Sequence, residues 1–309
     1  MSRLSASTVL AGVVGFPVGH SLSPLLHNAA YRALGLDWAY AAFEVPPADF
    51  DDAVTGARAL GMRGLSVTMP HKERAVEVAT RRSATARRLW AANTLSFEDR
   101  EIVADSTDGG GLLDDLQGEV GYDVAGRRCA VIGAGGAARA VILALAEAGA
   151  SEVLVVNRTA VRAFRAAALA PGVGRVARPE ELEVADLVVQ ATPAGMADQG
   201  PAELPGGTGA PLDTARTERP PSEEGPRSER PAGEPGWPAG ADPSRLGAGQ
   251  LVVDLVYRPA VTPFLAEAAR YGATTRNGLG MLVHQAARQV RRWTGTDPPL
   301  AAMWAAVTD

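Results

Sequence analysis

Residues 127–159 read RRCAVIGAGGAARAVILALAEAGASEVLVVNRT. The apolar run from Cys129 to Ile132 passes directly into Gly133-Ala134-Gly135-Gly136-Ala137-Ala138, and an alanine-rich stretch of helical length follows. A second β-branched run occupies 153–156. Strand, tight turn, helix and strand in this order place backbone N–H groups and a helix N-terminus at the carboxyl end of the first strand, which suits a pyrophosphate. Glycine permits the turn and the close approach of the ligand, and Ala138 stands where the fingerprint has its last glycine. Gly133, Ala134, Gly135, Gly136 and Ala137 are therefore candidate dinucleotide contacts; the bland alternative is a packing turn.

The tip of the second strand bears on which dinucleotide is bound. A site for the unphosphorylated cofactor places Asp or Glu there to hold the ribose 2′-hydroxyl. This chain has Asn157, Arg158 and Thr159, then Arg162. Two guanidinium groups suit a 2′-phosphate, each charge-assisted hydrogen bond contributing about 1.5–3 kcal/mol before screening, so the expected cofactor is NADP. In the bland alternative both arginines are solvated helix residues.

Outward from this unit, short apolar runs alternate with alanine-rich segments, the pattern of an α/β protein with mostly parallel sheets. An earlier block has candidate strands at 9–14, 39–44 and 64–68 and candidate helices at 23–35, 48–60 and 71–80. The stretch DSTDGGG, 105–111, then gives way to Leu112, Leu113 and Leu116, spaced for one face of a linking helix. Residues 199–249 are rich in Pro, Gly and charge and poor in large apolar side chains, which predicts a disordered surface insertion with Trp237 incidental to it. LVVDLVY, 251–257, resumes as a buried strand, and NGLGMLVHQAARQVRRW, 277–293, as a long helix whose packing partner chain order does not give.

With 309 residues and 46% hydrophobic content, the chain is long enough for two domains with separate cores. Its net charge of -5 argues against a nucleic-acid partner. The apolar run near the N-terminus, Val9 to Val14, is too short for a signal-peptide core and reads as a strand, and no run approaches a membrane span. Cys129 is the only cysteine, which excludes an intrachain disulfide and fits a reducing cytoplasm. The four histidines show no metal-ligand spacing, so no metal is expected.

SVTMPHKE, 66–73, ends a strand with a proline and delivers Lys72 to the sheet's carboxyl edge. In chain order, GFPVGHSLSPLLHN, this SVTMPHKE, AANTL, DSTDGGGLL, IGAGGAARA, VNRT with Arg162, ATPAGM and NGLGMLVHQAA resemble the shikimate dehydrogenase family over nearly the whole chain except the insertion. The resemblance implies two domains: an N-terminal α/β substrate domain with a mostly parallel sheet (1–108, completed by a C-terminal helix at about 281–309), and a Rossmann NADP-binding domain (109–280). A cleft would lie between them. It further implies reversible, NADPH-dependent reduction of 3-dehydroshikimate to shikimate, on the way to chorismate and the aromatic amino acids, by a monomer or homodimer.

By this match Lys72 and Asp108 are catalytic, sharing the reacting hydroxyl. Ser21, Ser23 and Tyr257 would hold the substrate carboxylate, and Thr68, Asn93, Asp108 and Gln285 the ring hydroxyls. Thr192, Gly278 and Met281 join the cofactor contacts. Taken alone, Ser21 and Ser23 read as helix caps, Asn93 and Thr94 as a turn, and His20, His71 and His284 as structural. The chain departs from the family pattern at Ser106 and Pro193, where Asn and Ser are usual. Two other activities stay open: a quinate or aminoshikimate dehydrogenase, and an NADP-binding regulatory module without catalysis.

Overall fold

The computed structural model describes residues 4–196 and 237–308, so most of the expected insertion lies outside the described residues. The first sheet contains β1 (Val9–Gly15), β2 (Trp38–Glu44), β3 (Gly64–Val67), β4 (Arg81–Arg82), β5 (Thr94–Glu98) and β6 (Glu101–Asp105), in the order β2-β1-β3-β5-β6-β4. β1 lies parallel to β2 and β3, whereas β3 with β5 and β5 with β6 are antiparallel. The β5–β6 hairpin turns at Asp99-Arg100, with φ of 46° and 71°. Asn-Gly is the usual signal for two successive positive φ values, and its absence hides this hairpin in the sequence.

Helices α1 (Ser23–Ala33), α2 (Phe50–Ala59), α3 (Lys72–Val78) and α4 (Ala84–Leu89) accompany this sheet. Phe50, Val54, Leu65, Val67 and Leu95 form one buried cluster. Another joins Leu26, Tyr31 and Tyr40 to Val283, Val290 and Trp293 near the C-terminus. Each such large side chain contributes about 1.5–3 kcal/mol by leaving water.

α5 (Asp108–Glu119) follows. Gly109, Gly110 and Gly111 do not precede the helix but lie in its first turn. Packing is the reason: a Cβ on Gly109 would lie 2.4 Å from the Ala140 carbonyl oxygen, and one on Gly111 would lie 2.7 Å from the Gln285 nitrogen. Three poor helix formers are tolerated because two neighbouring helices approach the backbone there.

The second sheet contains β7 (Arg128–Ile132), β8 (Glu152–Val156), β9 (Gly174–Val176), β10 (Leu187–Gln190), β11 (Leu251–Asp254) and β12 (Thr274–Asn277). Its order, β12-β11-β10-β7-β8-β9, is wholly parallel. The order reverses between β7 and β10, the switch point where open α/β sheets bind ligands. α6 (Gly136–Glu147), α7 (Ala160–Ala167) and α8 (Pro263–Arg270) accompany it.

α9 (Leu279–Thr294) connects the two cores: Met281 is buried with Val131 and Val141, and Trp293 with Leu26 and Tyr40. Gly64 makes room for it, since a Cβ there would lie 2.4 Å from Trp293 Nε1. α10 (Leu300–Thr308) closes the chain beside α1. No described helix is long and apolar enough to cross a membrane.

The end of the expected disordered segment is ordered. Residues 237–249 contain 3-10 turns at Pro238–Gly240 and Pro243–Arg245, and Ala241 and Leu246 are buried among Val188 and Val252. Trp237 stands edge-on to Phe264 at 6.4 Å and so belongs to the packing. Composition missed this because prolines start both turns and few large apolar residues are involved.

Candidate active site

A cleft of about 730 Å³ brings Lys72, Met69 and Pro70 of the first unit together with Gly133–Ala137, Asn157, Arg162 and Thr192 of the second. His20, Glu73, Leu255, Tyr257 and Arg258 also line it. β3 ends at Val67, and the turn through Pro70 starts α3 at Lys72, which sets that side chain at the rim. α5 begins at Asp108, immediately after the strand-leaving residues Ser106 and Thr107.

Lys72 Nζ donates to Asp108 Oδ2 at 2.5 Å. The Lys72 side chain is 16% exposed and that of Asp108 3%. Asn93 Nδ2 donates to Asp108 Oδ1 at 2.7 Å and to Gln285 Oε1 at 2.9 Å. The Thr107 backbone N–H donates to Asn93 Oδ1 at 2.8 Å, which fixes which end of the amide faces Asp108. Asp108 thus has one oxygen held from behind and the other presented to the lysine.

Gly133 has φ +119°, where a side chain would be strained, and a Cβ on it would come 3.1 Å from Thr192 Cγ2 across the switch point. A Cβ on Gly136 would come 3.1 Å from Lys72 Cδ, so the glycine loop rests on the lysine's stem. No side chain caps the N-terminus of α6. Its N–H groups and positive dipole end therefore face the cleft, a cradle that fits a dinucleotide pyrophosphate. Asn157 and Arg162 line the same cleft, whereas Arg158 and Thr159 are exposed outside it. Neither arginine is in an ion pair among the described residues.

Beneath the switch point lies Asp254, which sequence reasoning passed over. It accepts from Thr262 Oγ1 at 2.6 Å, Val256 N at 3.0 Å and Gln190 Nε2 at 3.2 Å. Gln190 in turn accepts from Thr192 N at 2.5 Å. Burial pushes the Asp254 carboxyl up to about 6, against those hydrogen bonds.

Among the other expected site residues, Ser23 is buried, and Ser21 Oγ accepts from Ser23 N at 3.2 Å. Burial raises the Tyr257 phenol, which packs against the buried cluster that holds Leu22 and Leu26. Thr68 is half-buried beside Gly15. Gln285 reaches the lysine pair only through Asn93. Gly278 and Met281 lie off the cleft wall: Gly278 packs against Leu255 and Met281 is buried. His71 Nε2 meets the Val45 carbonyl at 2.8 Å, His284 meets Glu119, and both read as supports. His20, expected to be structural, faces the cleft.

Similar proteins give this geometry a context. The family description "Shikimate dehydrogenase substrate binding domain" matches residues 13–95, "Shikimate / quinate 5-dehydrogenase" residues 116–196, and "Shikimate 5'-dehydrogenase C-terminal domain" residues 278–308. An NADP(+)-dependent shikimate dehydrogenase of Moorella thermoacetica is 39% identical over 98% of this chain and 94% of its own. The crystal structure of shikimate dehydrogenase from Aquifex aeolicus superposes with a TM-score of 0.80 at 31% identity, covering 99% of this chain and 100% of that one. That from Thermus thermophilus, in complex with NADP(H) and shikimate, gives 0.77 at 32%, covering 96% and 98%.

Proposed function

The chain belongs to the shikimate dehydrogenase family, and we propose that it catalyses the reversible, NADPH-dependent reduction of 3-dehydroshikimate to shikimate. The observation that carries this is the Lys72–Asp108 pair set against the glycine loop: a proton-handling pair beside a dinucleotide cradle.

Oxidising a ring hydroxyl requires a group that removes the O–H proton as the carbon loses hydride, and reduction requires the same group to return it. NADP, when bound, accepts or supplies the hydride. Lys72 Nζ and Asp108 Oδ2 share the proton position and both face the reacting oxygen. In reduction the ammonium donates to the oxygen as negative charge grows on it, with Asp108 holding the lysine in line. Asn93 keeps Asp108 from turning. Ser21, Ser23 and Tyr257 hold the substrate carboxylate; Thr68, Asn93 and Gln285 hold the remaining hydroxyls. A site built of such polar groups rejects analogues that leave them unpaired.

The loop Gly133–Ala137 and the α6 N-terminus hold the pyrophosphate. Asn157 and Arg162 face the ribose phosphate from the cleft wall, with Arg158 and Thr159 reaching it from the exposed surface beside the cleft; Thr192 shapes the nicotinamide end, backed from behind the wall by Gly278 and Met281. The buried Cys129, whose thiol burial pushes up to about 12, acts as a small hydrophobe, in keeping with a cytoplasmic enzyme.

Steady-state oxidation of shikimate and of quinate, each with NADP and with NAD, tests the proposal. The expected result is high kcat/KM for shikimate with NADP alone. Comparable quinate turnover, or a preference for NAD, would move the chain to the sister activity.

A further inference from the structure

Behind the lysine pair runs a buried chain of hydrogen bonds that the reaction as described does not use. Tyr40 OH donates to Ser66 Oγ at 2.6 Å, and Ser66 Oγ donates to Gln289 Oε1 at 2.7 Å. Gln289 Nε2 donates to Thr94 Oγ1 at 2.9 Å and to the Asn93 carbonyl at 3.2 Å. Thr94 Oγ1 then donates to Asn93 Oδ1 at 2.8 Å. Tyr40 is 4% exposed, Ser66 6%, Gln289 3% and Thr94 0%.

The chain has one allowed polarity. The Asn93 carbonyl can only accept, so the Gln289 amide nitrogen must face it and the amide oxygen must face Ser66. The Thr94 hydroxyl, already accepting from that nitrogen, sends its own proton to Asn93 Oδ1. Thr107 N–H donates to the same oxygen, leaving Asn93 Nδ2 aimed at Asp108. With its amide reversed, Gln289 would set an oxygen against a carbonyl oxygen and leave buried groups unpaired, a loss comparable to a full desolvation penalty.

Resting on the functional reading above, we propose that Gln289 is a positioning residue for the reaction: acting through Thr94 and Asn93, it fixes the carboxylate of Asp108 toward Lys72. It touches neither substrate nor cofactor. Its effect is on geometry, and misplacement of a reacting group by about 1 Å costs up to about a hundredfold in rate.

Gln289→Met keeps length and approximate volume while removing every hydrogen bond. Thr94→Val does the same to the next link, and Thr94→Ser restores the hydroxyl. All three are to be compared with wild type and Lys72→Ala in steady-state shikimate oxidation, with thermal melts and titrated active-site fractions alongside. The expected result is a kcat lowered about tenfold to a hundredfold in Gln289→Met and Thr94→Val, an unchanged KM for NADP, and recovery in Thr94→Ser. Wild-type kcat in Gln289→Met and Thr94→Val would overturn the proposal. So would a loss matched by the active fraction, or no recovery in Thr94→Ser. If Lys72→Ala turned over like wild type, the functional reading would fail instead, and the two failures are thereby distinguished.

Discussion

Lys72 and Asp108, 36 positions apart in the chain, meet at 2.5 Å because β3 and β6 end at the same edge of one sheet. Asp108 is the first residue of α5, where its negative charge also lies favourably against the helix dipole. Replacing it with Asn keeps the shape and removes the charge. Asp108→Asn should lower kcat for shikimate oxidation by about 10²–10⁴, the range of general acid–base contributions, with a smaller change in KM. A kcat within twofold of wild type would remove Asp108 from the chemistry.

Arg162 lines the cleft and Arg158 does not. Arg162→Ala should raise the KM for NADP about tenfold to a hundredfold, as expected for one lost charge-assisted hydrogen bond, and leave the KM for NAD nearly unchanged. Arg158→Ala should act in the same direction and more weakly. An equal loss for both cofactors would place the arginine away from the 2′-phosphate.

Asp254 and His27 impose opposite pH dependences on stability. Burial raises Asp254 to about 6, so its contribution is present below the unfolded value of 3.8 and is lost as pH rises through about 6. Burial lowers His27 to about 4, so its contribution is present above 6.5 and is lost as pH falls through about 4. Each is of order 3 kcal/mol, and across the shared window they nearly cancel. Asp254→Asn should remove the opposing contribution and leave the buried histidines, His27 with His71 in the same sense: urea midpoints should fall steeply from about pH 6.5 to about pH 4.5, more steeply than in wild type. Parallel curves for the two proteins would show that Asp254 titrates at its ordinary value.

Two glycines of α5 should respond in opposite senses. Gly118 has nothing within 4 Å of an added Cβ, so Gly118→Ala should stabilise by about 0.5–1 kcal/mol through helix propensity. Gly109→Ala would press on the backbone of Ala140, costing about 1–3 kcal/mol and disturbing the neighbouring Asp108. Chemical denaturation of both variants measures the contrast.

Legibility in the sequence followed local signal. The strand–glycine–helix unit and the parallel runs were readable because period, length and turn residues agree within about 30 positions. β5 and β6 were not, because their hairpin turns on Asp99-Arg100 without a glycine. Gly109–Gly111 read as a polar stretch ahead of the helix, since their helical state depends on contacts with Ala140 and Gln285 that are distant in the chain. At the candidate site, Lys72 and Asp108 were marked by motifs. Gln289 and Asp254 were not: an amide in a helix and an aspartate ending a strand carry no local mark of the buried partners that orient them.

The most direct test of the account is the kcat of Lys72→Ala for shikimate oxidation with NADP, measured beside its shikimate affinity and its melting temperature. A kcat lowered by about 10²–10⁴, with substrate binding changed far less and the fold intact, is the predicted result. Turnover at the wild-type rate would contradict the assignment of proton handling to this lysine.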